Sequence, residues 1–181
     1  MILAVDVAYR KETALVGAVL FRDWADAIPL KEFVLSCKVP DNYRPGLFYR
    51  RELPCITALL EKISEKPDCI IVDGFVYLGR AKYPGLGKHL YDLLAQKVAV
   101  IGVAKTPYRD TPASCRVLRG SSKKPLYVTA AGIEEVSAKS LIKNMHGRNR
   151  IPTLLKYVDR LCQAAVAAPQ NINFTPDSSC L

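Results

Sequence analysis

Cys69-Ile70-Ile71-Val72-Asp73 is a run of four apolar residues closed by a carboxylate, with Gly74 directly after it. The run has strand length, and three of its members are β-branched. Its apolar residues do not alternate with polar ones, so both faces are expected to be covered. Ile2-Leu3-Ala4-Val5-Asp6 repeats the pattern at the start of the chain. Val98-Ala99-Val100-Ile101-Gly102-Val103-Ala104 is a third apolar run, followed by Lys105. It reads as a central strand.

The segments between these runs supply the rest of a sheet and its covering helices. Residues 13–21 and 29–37 read as two more strands, which with residues 2–7 form an antiparallel meander. Residues 39–46 hold Pro40, Pro45 and Gly46 and read as loop. Phe48, Leu53, Ile56, Leu59, Leu60 and Ile63 recur at helical spacing, so 48–63 is predicted as a helix. A Gly-rich loop at 74–87 precedes a helix at 87–96. A short strand is expected near 115–119 and another at 125–130. Helices are expected at 133–143 and 152–168, with Pro152 suited to a first turn. This order predicts an α/β fold, a mixed central sheet flanked by helices. Residues 1–168 are expected to form a single domain and the polar residues 169–181 a disordered tail.

The chain has 181 residues, 26 Lys and Arg against 17 Asp and Glu, and a formal net charge of +9. The cations are spread along it, among them Lys38, Arg50, Arg51, Arg80, Lys88, Arg116, Arg119, Lys123, Lys143 and Arg150. That distribution predicts a broad phosphate-binding surface, with nucleic acid as partner. No run is apolar enough to span a membrane, and Asp6 interrupts what would be a leader. The six cysteines lack Cys-x-x-Cys spacing. Cys55 and Cys69 read as buried thiols of a protein in a reducing cytoplasm. A monomer is the expectation.

Within this basic chain three acids stand out. Asp6 and Asp73 each follow a buried strand, where ligands of such sheets collect. Glu52 lies in the first part of a helix after a Pro-Gly turn. Converging carboxylates cannot all ionise without a cation between them. Their hard oxygens match Mg²⁺, or Mn²⁺ in its place. Phosphodiester hydrolysis uses such ions to activate water and neutralise the phosphoryl group, so the pattern predicts a metal-dependent enzyme acting on a polyanion. Gly74 serves a turn that brings backbone close to ligand. His89, on an amphipathic helix, reads either as a structural hydrogen-bonder or as a phosphate contact.

Several ordered motifs resemble one family. Val5-Asp6-Val7-Ala8-Tyr9 is similar to the first motif of endonuclease V. Tyr43-Arg44-Pro45-Gly46 with Arg51-Glu52 and Pro54 resembles that family's Tyr-x-Pro-Gly…Arg-Glu-x-Pro segment. Val72-Asp73-Gly74, Gly85-Leu86 with His89-Leu90, Ile101 to Lys105, Pro125 to Val128 and Asp159 follow in the family's order. The resemblance covers about residues 2–162 and implies an RNase H-like fold. It implies an endonuclease that nicks DNA or RNA at the second phosphodiester 3′ to deoxyinosine or inosine. Asp6 and Asp73 would be direct metal ligands, with Glu52 and Asp159 completing the site. Lys105 would stand near the scissile phosphate. Tyr43, Pro45 and Gly46 would belong to the segment that wedges beside the displaced base.

Some positions depart from the family pattern. Gly79 stands where the family's loop has His. Ala131-Gly132-Ile133 lacks the usual Gly-His, and Arg50 replaces a Phe. Two alternatives follow: a related nuclease with altered substrate choice, and a non-catalytic nucleic-acid-binding module.

Overall fold

The computed structural model describes residues 1–10, 13–38 and 49–167. Tyr43, Pro45, Gly46 and the expected tail from residue 169 lie outside these. The chain opens with β1 (Ile2–Arg10), β2 (Thr13–Phe21) and β3 (Lys31–Lys38). After α1 (Tyr49–Leu60) come β4 (Cys69–Asp73), the short strands β5 (Tyr77–Leu78) and β6 (Tyr83–Pro84), and α2 (Leu86–Leu93). The remainder is β7 (Ala99–Ala104), β8 (Arg116–Val117), β9 (Leu126–Ala131), α3 (Glu135–Asn144) and α4 (Thr153–Ala167).

Seven strands make one mixed sheet in the order β3-β2-β1-β4-β7-β9-β8. The meander is antiparallel throughout, from Ile2↔Phe21 to Arg10↔Thr13 in its first hairpin. β1, β4 and β7 are mutually parallel. β9 returns antiparallel to β7, and β8 antiparallel to β9. The three apolar runs of the sequence are therefore the three adjacent parallel strands at the centre.

Alternating side chains divide the core in two. Ile2, Ala4, Ile71, Ile101, Val103 and Val128 pack against Ile142 of α3 and Leu154 and Val158 of α4. Leu3, Val5, Ile70, Val72 and Val100 pack against Ile56 and Leu59 of α1 and Leu90 of α2. Leu3, Leu59, Leu90, Ile101 and Ile142 are fully buried. Truncating any of these to Ala costs about 2–5 kcal/mol.

Boundary differences have local causes. The helix expected at 87–96 stops at Leu93, because Ala95 and Gln96 take positive φ of 53° and 61°. The loop expected at 74–87 contains the β5/β6 hairpin. No helix among the described residues is long and apolar enough to cross a membrane.

Candidate active site

The parallel ladder decides which side chains meet. Pairing of β1 with β4 runs from Ile2↔Cys69 to Val5↔Val72, and Asp6 is the next residue. The sequence pattern placed Asp6 at a strand end; in the structure β1 continues to Arg10, because its hairpin with β2 carries it on. Asp6 still stands at the carboxyl edge of the parallel core. Asp73 closes β4 and pairs with Val103, while Lys105 follows the last residue of β7. One edge of the sheet thus receives Asp6, Asp73 and Lys105.

Asp159 reaches this edge from α4, one turn before Cys162. The Cys162 thiol donates to the carbonyl of Asp6 at 3.2 Å. Gly17 is the cross-strand partner of Asp6, and a Cβ there would stand 2.7 Å from the Cys162 sulfur. The missing side chain lets α4 seat on the hairpin. The Lys105 ammonium donates to Asp73 Oδ2 at 2.7 Å and approaches Asp159 Oδ1 at 3.5 Å. Asp6 Oδ1 accepts from the Val7 N–H at 2.9 Å.

Glycines shape the loop after Asp73. Gly74 adopts φ +136°, a conformation open to glycine. A Cβ on Gly102 would lie 2.7 Å from both Gly74 O and Val76 N, so the loop folds back directly on β7. The buried Val76 N–H is secured by Thr129 Oγ1 at 2.8 Å.

The electrostatics link the acids. Burial, then the charge of Asp73, pushes the Asp6 carboxyl up to about 6; Asp159 adds to the push, while the Val7 N–H and Lys105 oppose it. Glu52 is 6% exposed on α1. Burial pushes it up to about 8, with Asp6 and Asp73 adding to the rise and Arg51 resisting. Burial disfavours the charge on Lys105, but its bond to Asp73 and the fields of Asp73, Asp159 and Asp6 outweigh this and raise its pKa. Val5, Ile71, Val103, Leu126, Leu155 and Val158 join Asp6, Asp73 and Lys105 around a pocket of about 30 Å³. Apolar walls of this kind strengthen charge interactions. The acids are coupled through their fields and not assembled as a cage. Among the described residues, no group of three or more His, Cys, Asp or Glu is arranged to hold an ion.

His89 of α2 stacks on Tyr49, with ring centroids 3.8 Å apart and planes 14° from parallel. Tyr49 lies three residues before Glu52, on the same side of α1.

Two arginines assigned to the phosphate-binding surface have internal roles instead. Arg119 is 4% exposed and donates to the carbonyls of Lys143, Met145, Gly147, Asn149 and Arg150. Arg150 donates to Pro125 O at 2.7 Å and to the carbonyl of Lys105. The loop that Arg119 gathers therefore holds the backbone of Lys105. Alternation was the available signal: Cys115, Val117 and Arg119 are buried while Arg116 and Leu118 are exposed.

A mixed sheet covered on both faces, with acids and one lysine at the carboxyl edge of its parallel strands, is the frame of RNase H-like proteins. A sequence model of the endonuclease V family matches residues 1–129, and the chain belongs to that family of nucleases. An endonuclease V from Desulfurococcus amylolyticus is 32% identical over 147 residues, covering 81% of this chain and 55% of the relative. The chain thus spans about half the length of that relative. One from Streptomyces coelicolor is 28% identical over 188 residues, covering 91% and 78%. The crystal structure of endonuclease V from Streptomyces avermitilis superposes with a TM-score of 0.71 at 27% identity, covering 92% of this chain and 81% of that one. Ciona intestinalis endonuclease V, solved with a 24mer DNA containing an inosine followed by a ribo-adenosine, shares the fold with a TM-score of 0.75 at 18% identity, covering 92% and 85%.

Proposed function

We propose that this chain is a metal-dependent endonuclease that hydrolyses a phosphodiester near a deaminated base. The base is deoxyinosine in DNA or inosine in RNA, and the cut falls at the second phosphodiester on its 3′ side. The observation that carries the reading is the gathering of Asp6 and Asp73 with Lys105 around one pocket, where the Lys105 ammonium donates to Asp73 at 2.7 Å and approaches Asp159 at 3.5 Å. Family membership supports it, as does the inosine-containing DNA bound by the Ciona relative.

The donor set fits a hard divalent cation. All four acids offer carboxylate oxygens, and a cation beside Asp6 and Glu52 would favour their charged forms against burial and the neighbouring acids. Asp6 and Asp73 would hold the ion, with Glu52 and Asp159 completing the set. When bound, Mg²⁺ or Mn²⁺ supplies charge neutralisation and an activated water. The Lys105 ammonium, fixed by Asp73 and by the grip of Arg150 on its backbone, places a compact positive charge where the phosphate develops negative charge. Tyr43, Pro45, Gly46 and Gly74 would approach the displaced base, and His89 with Tyr49 would flank the strand.

A second reading, the same chemistry with a different target, draws on Gly79 and Gly132. Both have positive φ, 63° and 75°. A Cβ on Gly132 would stand 2.7 Å from the Tyr91 ring, and one on Gly79 3.1 Å from Arg109 O. The backbone at both positions is thus shaped around glycine, beyond a simple loss of the family's histidines.

Cleavage of matched substrates carrying inosine, uracil, an abasic site, a branch or no lesion separates the two readings. Preference for inosine by tenfold or more supports the first. Equal rates on all substrates exclude it.

A further inference from the structure

Arg116, Val117, Leu118, Lys123, Pro125, Val136, Lys139, Ser140 and Lys143 line a groove of about 560 Å³ between β8, the edge strand of the sheet, and α3. Four of these residues are cationic and none is acidic. Between Thr111 and Ile133 the chain carries four Lys and Arg and no Asp or Glu. Lys139 is committed, since it pairs with Glu135 at 3.6 Å and donates to Ser114 O at 2.8 Å. Arg116, Lys123 and Lys143 are exposed, and no ion pair among the described residues engages them. Leu118 and Val136 stand 56% and 73% exposed beside them.

The groove adjoins the candidate active site. Leu126 lines the pocket of Asp6, Asp73 and Lys105, and its ladder partner Val117 lines the groove. β8 thus lies two strands out from β7, whose end carries Lys105. Two strand spacings are roughly 10 Å, about three nucleotide rises at 3.4 Å per strand. Pro125 lines the groove, and its carbonyl shares the Arg150 guanidinium with the carbonyl of Lys105. α3 packs on the face of the sheet that also carries α4 and Asp159. A strand seated at Lys105 and running outward across β9 toward β8 enters the groove that holds the three uncommitted cations.

We infer that the β8–α3 groove binds the phosphodiester backbone of the substrate's flank, three or more nucleotides from the bond that is cut. This deepens the nuclease reading and rests on it. The cations neutralise backbone phosphates without reading sequence, while Leu118 and Val136 lie against sugar edges. The groove thereby adds affinity for long substrates and leaves the chemical step unchanged.

The test uses the full chain with Lys123→Glu/Lys143→Glu, and Lys124→Glu as a charge-change control outside the lining. Binding to a 30-base-pair inosine duplex is measured by fluorescence anisotropy across salt concentrations, and thermal denaturation verifies folding. Each phosphate contact contributes about 0.9 to the slope of log K against log salt, so the double variant is expected to lower the slope by about 1.8. KM on the long duplex should rise about tenfold at unchanged kcat, while KM on a duplex trimmed close to the inosine stays at the wild-type value. An unchanged slope, or equal KM effects on long and trimmed duplexes, overturns the groove. So does competition by poly-glutamate lost in the double variant while the nucleic-acid slope stays constant, which assigns the groove to an acidic protein partner. If the wild type fails to cleave yet its salt slope falls on mutation, the nuclease reading fails and the groove stands.

Discussion

Gly17 and Cys162 meet where a side chain on the glycine would stand only 2.7 Å from the cysteine sulfur. Gly17 faces Asp6 across the hairpin, and Cys162 lies one turn from Asp159. The contact therefore sets the distance between an acid on the sheet and an acid on a helix. Gly17→Ala is expected to cost about 1–3 kcal/mol through overpacking and to lower kcat beyond that loss. Gly17→Ala/Cys162→Ala should recover much of both, because the obstructing sulfur is gone. Denaturant titrations and single-turnover rates for the four proteins of this cycle measure the coupling. Additive losses contradict the argument.

Glu52 has the clearest pH signature. Its carboxyl rises from 4.5 to about 8 in the folded protein. Between those values the native state keeps a proton that the unfolded chain has lost. The stabilisation is full below pH 4.5 and is lost as pH rises through about 8. Stability of the metal-free protein should fall across that window. Glu52→Gln should remove that part of the slope and be the more stable protein at pH 8, by about 2–4 kcal/mol. Thermal melts of both proteins at pH 5 and pH 8 decide it, and parallel pH curves contradict the assignment. Asp6→Asn should act in the same sense over a narrower window, from 3.8 to about 6.

Lys105 and Arg150 should separate by kinetics. Lys105→Ala removes the charge itself, and kcat/KM should fall about 10²–10³-fold. Arg150→Ala leaves that charge in place but frees its backbone, so kcat should fall about tenfold with KM nearly unchanged. Arg150→Lys restores part of the rate, because one ammonium can hold only part of what the planar fork holds. Steady-state rates on an inosine duplex check all three. A KM effect alone from Arg150→Ala contradicts the positioning role.

Arg119→Ala should be among the most destabilising single changes. It leaves the carbonyls of Lys143, Met145, Gly147, Asn149 and Arg150 without their donor. A loss of at least about 3 kcal/mol is expected by chemical denaturation. A loss below about 1 kcal/mol contradicts the structural role given to this cation.

The strands of the parallel core were legible because unbroken apolar runs of strand length suit burial on both faces; their adjacency came only from the sheet order. Asp73 at the end of β4 was legible for the same reason, whereas Asp6, read as a strand end, sits at the carboxyl edge of the parallel core within a strand that runs on to Arg10. Asp159 was less so, because a helical acid looks alike on a solvated face and on a site-facing one. Arg119 and Arg150 were misread, since composition counts charges and cannot tell a surface guanidinium from one spent on backbone carbonyls. The role of Gly17 depends on a contact with Cys162, far away in the chain, which no local pattern encodes.

The central claim is that the coupled acids around Lys105 serve metal-dependent cleavage beside inosine. The direct measurement maps cut sites on inosine-containing DNA and RNA, with Mg²⁺ and with chelator, for wild type, Asp6→Asn and Asp73→Asn. The account predicts one Mg²⁺-dependent nick at the second phosphodiester 3′ to inosine, lost in both variants. Cutting in chelator, no cutting with Mg²⁺ or Mn²⁺, or wild-type cutting by Asp73→Asn would contradict it.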